Sequence, residues 1–160
     1  MILYGLKIRN DIIWFKHQAS KRTAWGSFQS PSDPYVIQPY EFILVFNKKE
    51  KKHKGKKEDI DITKEEFIKF SLAFWDIKPE TRKEILAVCP APFPEELVYR
   101  VIKFYSYKND LILDPFGGSG TVSYVAALTG RRSIYIDNSE KSFKFAIKRV
   151  KSISNTLWKK

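Results

Sequence analysis

Two acidic residues, Asp114 and Asp137, stand 23 positions apart at the ends of two short apolar runs, Leu111–Leu113 and Ser133–Ile136. Gly117, Gly118 and Gly120 follow the first, with Ser119 between them. Such a turn lets the backbone approach a ligand closely, and the helix expected from Thr121 points its N-terminus at the same place. Familiar glycine turns are excluded by inspection. No lysine follows Gly120 as a phosphate-binding Walker loop requires. The residue two after Ser119 is Thr121, not the glycine of a nucleophile elbow. Ser123 stands where a dinucleotide fingerprint needs its third glycine.

The two carboxylates narrow the ligand. A carboxylate at the second strand tip, Asp137, can accept both hydroxyls of a ribose. A carboxylate at the first, Asp114, disfavours phosphate and favours an ammonium group. A nucleoside with an amino-acid tail meets both demands, and S-adenosyl-L-methionine is such a molecule. The alternative is a tight strand–helix turn with no ligand.

The elements that must position these residues can be read around them. Ile8–Phe15 is rich in β-branched and aromatic residues and predicts a strand. Residues 17–39 show no period and predict a loop. Glu41–Asn47 (EFILVFN) is a continuous apolar run that predicts a strand buried on both faces. Residues 48–58 are a lysine-rich loop around Gly55. Thr63 and Glu66 form a capping-box pattern that opens a helix to about Leu72. A second helix is expected from Pro94, with Leu97, Val101, Phe104 and Tyr105 as its apolar stripe. Thr121–Thr129 predicts a helix stopped by Gly130. A last helix from Ser139 turns Phe143, Ala146, Ile147, Val150 and Ile153 inward. The C-terminal half thus alternates strand and helix, as a parallel α/β unit does.

Bulk properties bound the rest. The 160 residues allow one ordinary domain, and 43% are apolar. A single cysteine, Cys89, rules out an internal disulfide framework, and no Cys/His cluster has metal-ligand spacing. No apolar run is long enough to span a membrane, and the N-terminal residues lack a signal-peptide pattern, so a soluble, cytoplasmic protein is expected. The formal charge is +11; residues 1–58 hold twelve Lys/Arg against five Asp/Glu, a net +7. That suits a phosphate-rich partner through counterion release, or a solvated lysine surface. Basic and aromatic side chains interleave at Lys16, His17, Lys21, Arg22, Trp25 and Ser27, which suits contacts to phosphates and bases or a loop whose aromatics, Trp25 and Phe28, pack on the sheet.

Asp114-Pro115-Phe116-Gly117-Gly118-Ser119-Gly120-Thr121 resembles the cofactor motif of amino-group DNA methyltransferases, which act on adenine N6 or cytosine N4. Cys89-Pro90-Ala91-Pro92-Phe93-Pro94 resembles the segment that precedes it in the family's permuted β arrangement, and Asn10–Lys16 and Glu41–Phe46 resemble two further strands. The resemblance implies a Rossmann-like methyltransferase sheet of class α/β whose central strands are missing from this chain. It implies S-adenosyl-L-methionine as cofactor, held by Pro92, Phe93, Asp114, Pro115, Phe116, Gly117, Gly118, Ser119, Gly120, Thr121, Asp137 and Asn138. Double-stranded DNA would be the partner, contacted through Lys16, Lys21, Arg22, Trp25 and Ser27. The expected organisation is 1–47 for sheet strands and part of the target-recognition region, 48–62 for the lysine loop and 63–160 for the cofactor half.

The family's catalytic motif is Asp, Asn, Ser or Thr followed by Pro-Pro and an aromatic, which binds the exocyclic amine and stacks on the flipped base. No Pro-Pro dipeptide occurs in this sequence. The nearest string, Ser32-Asp33-Pro34-Tyr35, lacks one proline and follows no apolar strand, and it is read as part of the recognition region. No catalytic residue is therefore assigned, nor any metal ligand. The expectation is the cofactor-binding, DNA-contacting portion of a methyltransferase, completed by another polypeptide or by self-association through an open sheet edge. An inactive S-adenosyl-L-methionine-binding remnant and a basic nucleic-acid-binding protein remain the alternatives.

Overall fold

A computed structural model describes residues 5–17, 26–48 and 52–157, with side chains as far as 153. The chain divides into two units, residues 1–52 with 72–79, and residues 53–71 with 80–160.

The first unit is built on β1 (Leu6–Phe15), whose branched and aromatic side chains favour extended backbone. It pairs antiparallel with β2 (Tyr40–Lys48), with Ile13 opposite Phe42 and a register shift between Ile8 and Asn10. A three-residue strand, β3 (Phe74–Asp76), lies parallel on its other side, so the order is β2-β1-β3. Ile12, Trp14, Trp75 and Ile77 are buried, and the Trp14 indole N–H donates to the Ile77 carbonyl at 2.8 Å. The expectation that β2 is buried on both faces is corrected: Phe42, Leu44 and Phe46 all point to an exposed face. Period-two alternation cannot be seen in a segment apolar at every position. Residues 26–39 form no strand or helix beyond an isolated bridge between Gly26 and Pro34.

The second unit begins, after a 3₁₀ turn at Lys57–Asp59, with α1 (Lys64–Phe70). Its capping box is present in full, since the Thr63 hydroxyl accepts the Glu66 N–H at 3.1 Å and the Glu66 carboxylate accepts the Thr63 N–H at 3.0 Å. A single turn, α2 (Lys83–Leu86), leads to α3 (Glu95–Tyr105), with Pro94 as its N-cap. The face of α3 that is buried holds Leu97, Val98, Arg100 and Ile102, a stripe rotated from the expected one; Val101, Phe104 and Tyr105 are only half-buried. Then β4 (Leu111–Asp114), α4 (Thr121–Leu128), β5 (Arg132–Tyr135) and α5 (Glu140–Leu157) follow. β4 and β5 run parallel, Leu113 beside Ile134 and Asp114 beside Tyr135.

Helix packing covers one face of this parallel pair. Ile112 packs against the cluster of Val98, Ile102, Val125 and Ala126. On the opposite face Leu111, Leu113, Ile134 and Ile136 stay exposed. The expected inward face of α5 holds for Ala146, which is buried, but Phe143 and Ile147 are exposed and line an open apolar groove with Tyr135 and Val150. Elsewhere in this unit, Arg131 has no exposed side-chain surface and forms a paired contact with Asp61 at 2.5 and 2.7 Å. No described helix is long and apolar enough to cross a membrane.

Candidate functional site

The glycine turn between β4 and α4 is set by its own backbone bonding. The Phe116 N–H donates to Asp114 Oδ1 at 3.2 Å, Gly117 N–H to the Ile136 carbonyl at 2.8 Å, and Gly120 N–H to the Gly117 carbonyl at 2.8 Å. Gly118 N–H donates to Asp137 Oδ2 at 2.8 Å. A phosphate cradle needs several of these amides turned outward and free. Here four of them are directed back into the protein, which argues against phosphate as the ligand.

Gly118 sits at φ +48°, a left-handed conformation that side chains disfavour, with a Cβ there only 3.1 Å from Cys89 Sγ. Gly120 is a close approach: a Cβ would come 2.6 Å from the Ala146 Cβ of α5. This glycine serves the packing of α5 on the turn rather than a ligand.

Asp114 is the group in the turn left with unused bonding capacity. It is buried, its Oδ1 accepts the Phe116 N–H, and its Oδ2 has no hydrogen-bond partner. Burial pushes its carboxyl above the usual carboxylate range; the Phe116 N–H opposes the shift and the nearby Asp137 charge adds to it. A buried carboxylate oxygen without a donor is an expensive arrangement unless a ligand supplies one. A ligand ammonium would restore that balance. Asp137, half-buried, is tied by both oxygens: Oδ2 accepts Gly118 N–H and Oδ1 accepts Ser139 N–H at 2.8 Å. A carboxylate oxygen has a second lone pair, so these bonds leave Asp137 able to accept hydroxyls as well.

The other residues singled out by sequence fall into three groups. Pro115, Phe116 and Asn138 are exposed around the turn, Phe116 at 87%. Ser119 and Thr121 are buried; their hydroxyls lie 3.1 Å apart, and Arg149 donates to the Ser119 carbonyl and the Thr121 hydroxyl. Pro92 is half-buried, and Phe93 packs on the α3–α4 core cluster. In the first unit, Lys16 is paired with Glu41 and lies over the Trp14 ring. Ser27 shapes its own loop: its hydroxyl donates to the Ser30 carbonyl and accepts the Asp33 N–H. Ser32–Tyr35 belongs to that loop and is exposed. Lys21, Arg22 and Trp25 lie outside the described residues.

Two contributors to the turn carried no legible sequence signal. Arg149 from α5 links it to Glu95 at the start of α3, and Glu95 also takes Arg82. Tyr135 of β5 donates its phenol to the Gly118 carbonyl at 2.8 Å. Among the described residues no cluster of His, Cys, Asp and Glu is arranged to hold a metal ion.

Comparison with known proteins points to one family. A sequence profile for the N6/N4 DNA methylase family matches residues 2–148. The Type II methyltransferase M.MjaVI of Methanocaldococcus jannaschii is 48% identical over 81 residues, 51% of this chain and 41% of its own. M.MthZI of Methanothermobacter thermautotrophicus is 33% identical over 140 residues, 81% of this chain and 39% of its own. A candidate DNA modification methylase of Thermus thermophilus, solved with S-adenosyl-L-methionine, superposes with TM-score 0.73 at 29% identity, covering 92% of this chain and 54% of that one. The chain thus spans about two fifths of the length of these curated relatives and about half of that solved structure.

Proposed function

This chain belongs to the N6/N4 DNA methylase family, and from that premise we propose that it supplies the cofactor side of an S-adenosyl-L-methionine-dependent DNA methyltransferase acting on an exocyclic base amine, adenine N6 or cytosine N4. The observation that carries the reading is the buried, unpartnered Oδ2 of Asp114 at the mouth of a turn whose amides are already committed. The residues fit the cofactor: Asp114 offers an acceptor for the methionine ammonium, and Asp137 one for ribose hydroxyls. Phe116, exposed at the turn, offers an aromatic face on which an adenine can stack. When bound, the cofactor supplies an electrophilic methyl group on a sulfonium.

The chain's own part is binding and orientation. Asp114 fixes the amino-acid end, and the closed backbone bonding of the turn fixes the strand tips against which the nucleoside rests. Holding the methyl in line with an incoming amine is an entropic contribution, and catalysis by this half consists of that placement. The amine-binding motif comes from a second polypeptide segment. Double-stranded DNA is the substrate, contacted through Lys16, Lys21, Arg22, Trp25 and Ser27, and a restriction–modification setting accords with the names of the relatives.

Displacement experiments test the reading. S-adenosyl-L-methionine and S-adenosylhomocysteine should bind in competition, and ATP should fail to displace either. Displacement by ATP with no effect of the methionine-bearing ligands would overturn it. Transfer of labelled methyl to DNA should require addition of a polypeptide that carries the Pro-Pro motif.

A further inference from the structure

Tyr135, at the end of β5, and Asp137, just beyond it, stand two residues apart on the same side, and both reach the same residue of the turn. The Asp137 carboxylate accepts the Gly118 N–H and the Tyr135 phenol donates to the Gly118 carbonyl, each at 2.8 Å. The N–H belongs to the peptide before Gly118 and the carbonyl to the peptide after it, so two successive peptide planes are held. Holding both sets φ and ψ of the one turn residue whose left-handed conformation places a cysteine side chain against it. The Tyr135 ring also lies so close to Gly117 that a Cβ there would come 2.2 Å from it, so the ring serves as a floor beneath the turn. The phenol stays a donor throughout the working pH range, because burial first, then the Asp137, Asp114 and Cys89 charges, push it up to about 12.

Building on the cofactor reading above, we propose that Tyr135 is a positioning residue for the cofactor turn: with Asp137 it grips Gly118 from both sides and holds the strand-tip carboxylates in their binding arrangement. Tyr135 touches no reacting atom in this role. It acts through Gly118, and through Gly118 on the distance between Asp114 and Asp137. The hydroxyl, not the ring, carries the grip, since the ring contact alone leaves the Gly118 carbonyl free to turn.

Tyr135→Phe keeps the ring and removes the bond, so the full chain, 15N-labelled, is compared with the variant in two measurements. Amide exchange at Gly118 and Ser119 should quicken ~3- to 10-fold, the size expected for one neutral hydrogen bond, with exchange in α3 and in β1 unchanged. Affinity for S-adenosyl-L-methionine should fall by about the same factor, and the melting temperature by no more than about 5 °C, the size that one such bond allows. Wild-type exchange rates in the turn, or a uniform quickening across the second unit with a larger fall in melting temperature than that, would overturn the grip; the latter would make Tyr135 an ordinary packing residue. Failure of the wild-type chain to bind S-adenosyl-L-methionine would count against the cofactor reading. The exchange rates decide the grip by themselves in that case.

Discussion

Two turns of this protein use similar local chemistry to different ends. The loop at Ser27–Asp33 closes on itself through the Ser27 hydroxyl, which takes the Asp33 N–H and gives to the Ser30 carbonyl. Around it Phe28, Tyr35 and Val36 are exposed, and nothing in it is buried. The turn at Asp114–Thr121 also closes on itself, but elements on several sides hold it: β5 through Tyr135, the residue Asp137 just past it, and α5 through Arg149 and Ala146. Arg149 carries the connection onward to α3 through Glu95. The first is a surface shaped by its own side chains. The second is held from several sides around a buried carboxylate oxygen that has no hydrogen-bond partner, the oxygen to which the proposed function assigns a ligand cation.

The sharpest way to break this contrast is to attack the scaffold. Asp61→Ala leaves the Arg131 guanidinium buried without its carboxylate, and loss of one partner of a buried pair costs about 3–5 kcal/mol. Denaturant unfolding should show a loss of that size, whereas Ser27→Ala should cost less than ~1 kcal/mol. The next largest effect concerns the close approach at Gly120. Gly120→Ala forces a Cβ against Ala146 at φ +73°, and thermal unfolding should report a loss of about 2 kcal/mol from strain and overpacking together. Beside the loop, truncation of the 87% exposed Val36 to alanine should change unfolding by less than ~0.5 kcal/mol.

Acid titration separates the two kinds of carboxylate within the second unit. Glu80 is held down to about 2, first by its hydrogen bonds from the Arg82 side chain, against an opposing burial effect. It stabilises the fold above its ordinary value of 4.5, and that contribution is lost as pH falls from 4.5 toward 2. Asp114 has the opposite sign. Its carboxyl is raised in the folded chain, so its contribution is present below 3.8 and is lost as pH rises through the raised value. The melting temperature of Asp114→Asn relative to wild type should therefore increase as pH rises above 3.8 and through the raised value. For Glu80→Gln the corresponding deficit should shrink as pH falls below 4.5.

Much of the scaffold was legible because its signals are local. The capping box at Thr63 and Glu66, the stop at Gly130, and the parallel strand–helix alternation from Leu111 onward each depend on a few adjacent residues, and each forms as read. β3 was not legible. Three residues carry no period, and Phe74–Asp76 is extended because β1, about sixty positions earlier in the chain, gives it a partner. The exposed half of β2 was hidden for a related reason, since a wholly apolar strand does not say which face meets the core. At the site, the two acids and the glycines were visible as types at a spacing. That Gly120 makes room for Ala146, and that Tyr135 and Arg149 hold the turn, depends on contacts between segments that no spacing encodes.

The central claim is that the unpartnered Asp114 oxygen is kept for a ligand cation, and one paired measurement tests it most directly. Calorimetric titration with S-adenosyl-L-methionine and thermal unfolding are run at pH 7 on the wild type and on Asp114→Asn. The account predicts saturable binding by the wild type, weakened at least ~100-fold in the variant, a loss in the range of a buried charge-assisted contact. It also predicts that the variant melts no lower than wild type, because a neutral amide replaces a buried charge. If the Asp114→Asn chain binds the ligand as well as wild type, or loses binding only by losing its fold, the claim is contradicted.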